Sequence, residues 1–368
     1  MRKATTRHKY YIFGAMKSIY EAEKPVDLPM VFVVAMGRSG TTLLQSMLDS
    51  HPEIIAPYES RFAIHFKNRY AAIRNWNREI KERFIAEVKK EMKIAFFWEI
   101  DEELLAKRIH NLPVQTNYGA VCKQVYASFK SLHPKKNAKL LIDKNPIHHL
   151  LLPDLLKIFP DAIFIHLIRD YRASSSSMHQ LKNKEGVREF GFRWLLANQE
   201  IDKIKMGRPE KFITIRYEDL LEKPDATLKN LTGFLNLDFH ENMLTYHERF
   251  SEVLPKYIDR SPSEAVRKIR ALILKTVHKN LTAPIDARFI NKWKTKLTTQ
   301  QIETLDKICG KYGLQYGYDP FFEVKNIPRV PADIKLVKKK IQLYYRLPIW
   351  LRELKSKPAL ALLPDHDK

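Results

Sequence analysis

Arg38, Lys144, Arg169 and Tyr217 each fall at the end of an apolar run of strand length, so a parallel sheet would bring them to one edge. Three cations and a phenol gathered there would form a site for an anion carrying more than one charged group. The clearest piece is Val31-Phe-Val-Val-Ala-Met-Gly-Arg-Ser-Gly-Thr-Thr-Leu-Leu44, an apolar strand emptying into a Gly-containing loop and then a helix. First-turn N–H groups of a helix have no intrahelical partners and sit at the positive end of its dipole, which makes a phosphate cradle. Arg38 adds a full charge; the backbone at Gly40 and the hydroxyls of Ser39, Thr41 and Thr42 add donors. A nucleoside-triphosphate loop instead reads Gly, four residues, Gly-Lys-Ser/Thr, its Lys on the phosphates and its Ser/Thr on magnesium. Here Gly37 and Gly40 are three apart and no Lys precedes Thr41, so the loop suits a nucleotide handled without metal.

Two further segments bring charge and a base. Asp161–Ser177 ends a buried strand in Arg169, follows with Arg172, and opens a helix with four serines; a surface pair between Arg169 and Asp170 is the plainer alternative. Leu140-Leu-Ile-Asp-Lys-Asn-Pro146 places Lys144 before a Pro-initiated turn, near Arg38. For a base that deprotonates a hydroxyl, Leu48–Arg61 offers His51, Glu53 and Glu59, and His133, His148 and His149 stand elsewhere.

The loop Arg38-Ser-Gly-Thr-Thr42 resembles that of the sulfotransferase family, which uses 3′-phosphoadenosine 5′-phosphosulfate (PAPS) without a metal. The resemblance implies that Arg38, Ser39, Gly40, Thr41 and Thr42 hold the 5′-phosphosulfate, and that Arg169 and Ser177 hold the 3′-phosphate. Tyr217, in Tyr217-Glu-Asp-Leu220, would lie against the adenine. The tyrosylprotein branch is similar in Leu48-Asp-Ser-His-Pro52 and in a Lys followed by an acid or amide and Pro. That implies Glu59 as base, with Lys144 and Arg38 neutralising the transferring group. Related chains often carry a Lys before the Pro of a late loop; here Ala283 stands before Pro284, so Lys279 or Arg288 would have to substitute.

The elements that must position these residues read as an α/β fold: a P-loop-like parallel β-sheet flanked by helices, with a helical insertion and a helical C-terminal extension. The strand candidates are Met30–Ala35, Leu140–Ile142, Ala162–Ile168 and Phe212–Ile215, and helical spacing marks Leu150–Phe159 and Phe190–Ile204. The expected organisation is an N-terminal extension (1–29), a catalytic domain (30–322) and a basic amphipathic tail (323–368). Within the domain, residues 61–130 read as an aromatic, charged helical insertion over the crevice, a place for acceptor selection, although any single aromatic there fits an ordinary amphipathic helix closing the fold equally well. Thr298-Thr-Gln-Gln301 reads as a capping box before a helix running towards Gly310 and Gly313.

At 368 residues and a formal charge of +22, the chain can bury a full core and expects anionic partners. No homeodomain, zinc-finger, helix-turn-helix or RNA-binding signature occurs, so nucleic acid is not expected. Cys122 and Cys309 alone make neither a disulfide framework nor a metal site. No apolar run approaches the roughly 20 residues of a membrane span and no signal peptide is evident, so a cytoplasmic setting is expected. From Glu323 to Lys357 ten Lys or Arg face three acids, among interleaved apolar residues. Such a tail suits peripheral contact with anionic lipid or a docked C-terminal helix. The implied partners are PAPS and an unidentified hydroxyl-bearing acceptor; a P-loop kinase or a non-catalytic anion binder are the rival readings.

Overall fold

The computed structural model describes residues 24–179, 186–261, 263–276 and 279–347, so the residues before Lys24 and the tail's Ile349, Trp350 and Leu351 lie outside it. Five parallel strands form one sheet: β1 (Met30–Val34), β2 (Ile54–Ile55), β3 (Leu140–Lys144), β4 (Ile163–Ile168) and β5 (Phe212–Arg216), in the order β2-β3-β1-β4-β5. Four of them match the apolar runs read from sequence. The fifth, β2, is only two residues long, too short to give an alternating pattern, and pairs Ile54 and Ile55 with Leu140 and Leu141. Strands buried on both faces read as continuous apolar runs, and β1 is fully buried along Met30–Val34.

Helices cover both faces. On one, α1 (Thr41–Ser50) packs Leu44, Met47 and Leu48 against Val31, Val33 and Ile165. The segment expected as one helix over Leu150–Phe159 is a 3₁₀ turn (Pro146–Leu150) followed by a short helix (Leu152–Ile158), because Pro153 reinitiates the helical run. The insertion contributes α2 (Arg78–Lys90), α3 (Met92–Phe97), α4 (Glu102–His110) and α5 (Tyr118–Ala127). Beyond β4 come α6 (Tyr171–His179) and α7 (Val187–Met206), the latter longer at both ends than the Phe190–Ile204 stretch. The capping box at Thr298 and Gln301 forms as read. Its helix does not stop at Gly310 or Gly313 but passes through a π turn (Asp306–Gly310) to Gly317, where the backbone turns left-handed at φ 73°. Gly310 and Gly313 serve close packing instead: a Cβ would meet Pro320 at 2.9 Å and Tyr171 at 3.0 Å.

Most aromatic residues of the insertion do not line a crevice. Tyr70 stacks on Trp76 at 5.6 Å, Phe84 stands edge-on to both, and Phe62 and Phe66 are buried in the same core. Helical periodicity serves a cap or a core equally, and here it built a core. Trp76→Ala is therefore expected to cost about 3–5 kcal/mol, read as a lower urea midpoint at unchanged slope.

The C-terminal helix α10 follows α8 (Tyr246–Asp259) and α9 (Glu264–Thr276) and spans Ala332–Arg346. Of the two fates expected for the tail, docking holds over this span. Ile334 and Tyr345 are buried, Gln342 donates to the Leu150 carbonyl at 2.9 Å, and Lys338 pairs with Glu200 at 2.6 Å. Ahead of β1, Val26 exchanges two hydrogen bonds with Gln124 of α5, tying the end of the N-terminal extension to the insertion. Among the described residues no helix is long and apolar enough to cross a membrane.

Candidate functional site

Each strand delivers one candidate residue to the same edge. Arg38 follows β1, Glu59 follows β2, Lys144 closes β3, and Arg169 and Tyr217 come immediately after β4 and β5. Because all strands are parallel, their carboxyl ends lie together, where open sheets bind ligands.

The loop after β1 carries two left-handed residues, Arg38 at φ 70° and Gly40 at φ 89°. For arginine this backbone is costly and persists only where the surroundings hold it. Here the Arg38 Nε and Nη2 atoms both donate to Ser177 Oγ, at 3.1 and 3.0 Å. Gly40 heads α1 with no side-chain cap, so the first-turn N–H groups are left for a ligand. A Cβ on Gly40 would lie 2.3 Å from Cδ2 and Cε2 of Tyr217, so the glycine is dictated by the close approach of that ring as well as by its φ. Ser39 and Thr41 are buried, while Thr42 stands beside Lys144 with its hydroxyl 3.4 Å from Nζ.

Arg169 Nη1 donates to the Arg38 carbonyl at 3.2 Å and Nη2 to the Phe289 carbonyl at 3.4 Å, while the guanidinium lies 4.2 Å from the centre of the Tyr217 ring. Its Nε is buried with no hydrogen-bond partner among the described residues, as are the hydroxyls of Ser174 and Ser175. The surface pair with Asp170 does not form. Asp170 is consumed by Arg172, which donates through Nε at 3.0 Å and Nη2 at 2.8 Å, and Glu218 accepts from the Asp170 N–H at 3.1 Å. Burial and then the neighbouring Arg169 pull the Arg38 guanidinium below its usual value. Two neighbouring guanidiniums repel each other, and an incoming anion relieves that repulsion.

On the other side of the loop, Lys144 Nζ donates to Glu59 Oε1 at 2.5 Å. Lys144 is 2% exposed and Glu59 36%. Burial pushes the Glu59 carboxyl up, but Lys144, by charge and hydrogen bond, and then Lys93 and Arg61 outweigh it and hold the group at about 2. Lys93, from α3, was not legible in sequence: nothing in its neighbours marks it, and only the fold brings it into the field of Glu59.

The other base candidates are spent or misplaced. His51 is buried, its Nε2 on the Asp238 carbonyl at 2.9 Å. Glu53 precedes β2, at the opposite end of the strand from Glu59, and pairs with Lys139 at 2.7 Å. His133 follows Ser131, whose hydroxyl donates to Asp49 at the far end of α1. His148 is 1% exposed and burial lowers it to about 3; His149 Nδ1 is bonded to the Pro146 carbonyl and burial lowers it to about 4. In the late loop Arg288 is bound to Asp286 at 2.9 Å with its side chain 92% exposed, and the Lys279 side chain lies outside the described residues. Arg288 does not stand in for a lysine at Ala283; among the described residues, this loop reaches the site through the Phe289 carbonyl on Arg169.

Residues 29–241 match the model of the sulfotransferase family. Protein-tyrosine sulfotransferase 1 of Danio rerio is 24% identical over 314 residues, covering 82% of this chain and 76% of the relative. The Homo sapiens protein of the same name is 23% identical over 341 residues, covering 89% and 80%. Among solved structures, the sulfotransferase domain from the Synechococcus PCC 7002 olefin synthase is 20% identical, with a TM-score of 0.49 over 80% of this chain and 96% of that one. With more than half of its length matched by the family model, strand-end cations around an uncapped helix and relatives from the tyrosylprotein branch, this chain belongs to the sulfotransferase family and is a sulfuryl-transferring enzyme.

Proposed function

We propose that this enzyme transfers a sulfuryl group from PAPS to a phenolic hydroxyl, such as that of a tyrosine in a protein, with Glu59 as general base. The observation that carries the reading is the Lys144–Glu59 contact beside Thr42, which joins a carboxylate to a buried ammonium at the head of the anion loop. The phenol acceptor is supported by the names of the relatives, both protein-tyrosine sulfotransferases.

The residues present fit a nucleotide with two phosphate-bearing ends. The uncapped start of α1 and Lys144 face one end; Arg169, with its unspent Nε, and Ser177 face the other. Arg38, in the loop that leads into α1, bonds Ser177 through Nε and Nη2 and so lies between the two ends, with N–H donors not used among the described residues. When bound, PAPS supplies an activated sulfuryl group on a phosphate that leaves without needing a proton. Lys144 and Arg38 then neutralise charge gathering on the sulfuryl oxygens and the leaving phosphate. A carboxylate held at about 2 is a weak base. As Lys144 turns towards the anion, Glu59 loses its main counter-charge and its affinity for the phenol proton rises.

Calorimetric titration with adenosine 3′,5′-bisphosphate, and separately with ATP and magnesium, tests the donor assignment; a clear preference for ATP would overturn it. Transfer of ³⁵S from PAPS to tyrosine peptides tests the acceptor, and label entering only lipid or saccharide fractions would exclude it. Arg169→Ala is expected to weaken adenosine bisphosphate binding about 10- to 100-fold, the loss of one charge-assisted contact.

A further inference from the structure

Successive strand residues face opposite sides, so while Lys144 meets Thr42 of α1, Asp143 is turned towards α5 on the other face. There the Tyr126 hydroxyl donates to Asp143 Oδ2 at 2.6 Å, and His148 Nε2 stands 3.8 Å from the same oxygen. Cys122, also on α5, feels the Asp143 charge; the charges of Lys144, on the opposite face of β3, and of Glu59, after β2, reach it through the sheet, and on β1 its register partner is Phe32. Asp143 is 4% exposed, beside Tyr126 and paired in register with Phe32. A neutral acceptor would satisfy the buried Tyr126 hydroxyl equally well, so an ionisable carboxyl buried at this depth next to Lys144 points to a further role.

We propose that Asp143, held by Tyr126 behind Lys144, is a positioning residue of the sulfuryl transfer that sets how much of the Lys144 charge is available to the transferring group. The proposal rests on the sulfuryl-transfer reading above. With Asp143 neutral, the Lys144 ammonium answers only Glu59 and the incoming anion. With Asp143 ionised, a second carboxylate draws on the same cation and weakens its hold on charge developing in the transition state. Burial raises the Asp143 carboxyl to about 7, against the Tyr126 hydrogen bond and Lys144, which favour its charged form, so the change falls within the working range. His148 stays neutral throughout, because burial and Arg61 lower it to about 3. The proton is thus on Asp143 below the midpoint and lost above it, and turnover declines as pH rises.

The test is kcat at saturating PAPS and tyrosine peptide from about pH 5.5 to about pH 9. The wild-type enzyme is expected to lose about tenfold across an alkaline limb centred near 7. Asp143→Asn, which keeps an oxygen for Tyr126 but cannot ionise, should lose the limb. Tyr126→Phe, which removes a donor that favours the carboxylate, should move the limb to higher pH. A purely structural carboxyl would lower kcat in either variant without changing the shape of the profile. Profiles of both variants superimposable on the wild type would overturn the proposal, and should Asp143→Asn fail to fold, the direction of the Tyr126→Phe shift decides alone. Two outcomes separate the levels: no transfer of ³⁵S from PAPS by the wild-type enzyme removes the sulfuryl-transfer reading itself, whereas full turnover in Lys144→Met, or an unaltered Asp143→Asn profile beside a Lys144→Met variant that has lost turnover, removes only the role given to Asp143.

Discussion

Glu59→Gln is expected to lower kcat about 10²- to 10⁴-fold, the usual contribution of a positioned base, with binding of adenosine 3′,5′-bisphosphate nearly intact. The amide oxygen of Gln can still accept from Lys144 Nζ, so the 2.5 Å contact and the local packing have a substitute. What disappears is the capacity to take the phenol proton. Glu59 is ionised across the whole working range because Lys144, Lys93 and Arg61 outweigh its burial and hold it at about 2. The stability that this ionisation contributes is present above the unfolded carboxyl value and is lost as pH falls through about 2, so no loss of Glu59 charge is expected in a neutral assay. Single-turnover transfer of ³⁵S at saturating PAPS, read beside calorimetry, separates the chemical step from binding. A variant that transfers at the wild-type rate removes Glu59 as the base.

Gly40→Ala is expected to reduce affinity for adenosine 3′,5′-bisphosphate about 10²-fold, and Gly37→Ala to leave it within about threefold. The two glycines look alike in sequence, but their surroundings differ. At Gly40 an added Cβ meets the Tyr217 ring at 2.3 Å and the backbone sits at φ 89°, whereas at Gly37 nothing lies within 4 Å and φ is not left-handed. Tyr217 cannot simply step aside, because it is buried in the core cluster of that face and the Arg169 guanidinium lies 4.2 Å from its ring centre. Pushing it displaces a cation that also bonds the Arg38 carbonyl, so one methyl group disturbs three parts of the site. Calorimetry on Gly40→Ala and on the double variant with Tyr217→Ala checks this. Partial recovery in the double variant would identify the steric part, and the left-handed strain would account for the remainder. Wild-type affinity in Gly40→Ala would refute the close-approach argument.

The anion cradle could be read from sequence because it is local: a buried strand, a short loop and a helix start lie within fourteen consecutive residues, Val31 to Leu44. The strand-end placement of Lys144, Arg169 and Tyr217 was legible for a related reason, since apolar runs mark strands and a parallel sheet aligns their ends. The base could not be chosen on the residues alone. His51, Glu53 and Glu59 lie within nine positions, and the choice depends on β2, a two-residue strand with no pattern of its own. Its direction sends Glu53 to one edge of the sheet and Glu59 to the other. Within the insertion, periodicity alone could not tell cap from core for any single aromatic; Tyr70, Trp76 and Phe84 are core, because they pack on one another.

By itself, the sequence determined the layered α/β fold, the loop that replaces a Walker lysine with Arg38 and the charge at the ends of the strands, because each is written in neighbouring residues and in the period of apolar side chains. Tertiary structure alone decided which carboxylate meets Lys144, that Arg38 rests on Ser177, that Asp170 belongs to Arg172 and that Asp143 lies hidden behind the site. Those pairings join residues up to 139 positions apart, and their geometry is set by how helices and strands stack, which no local spacing records.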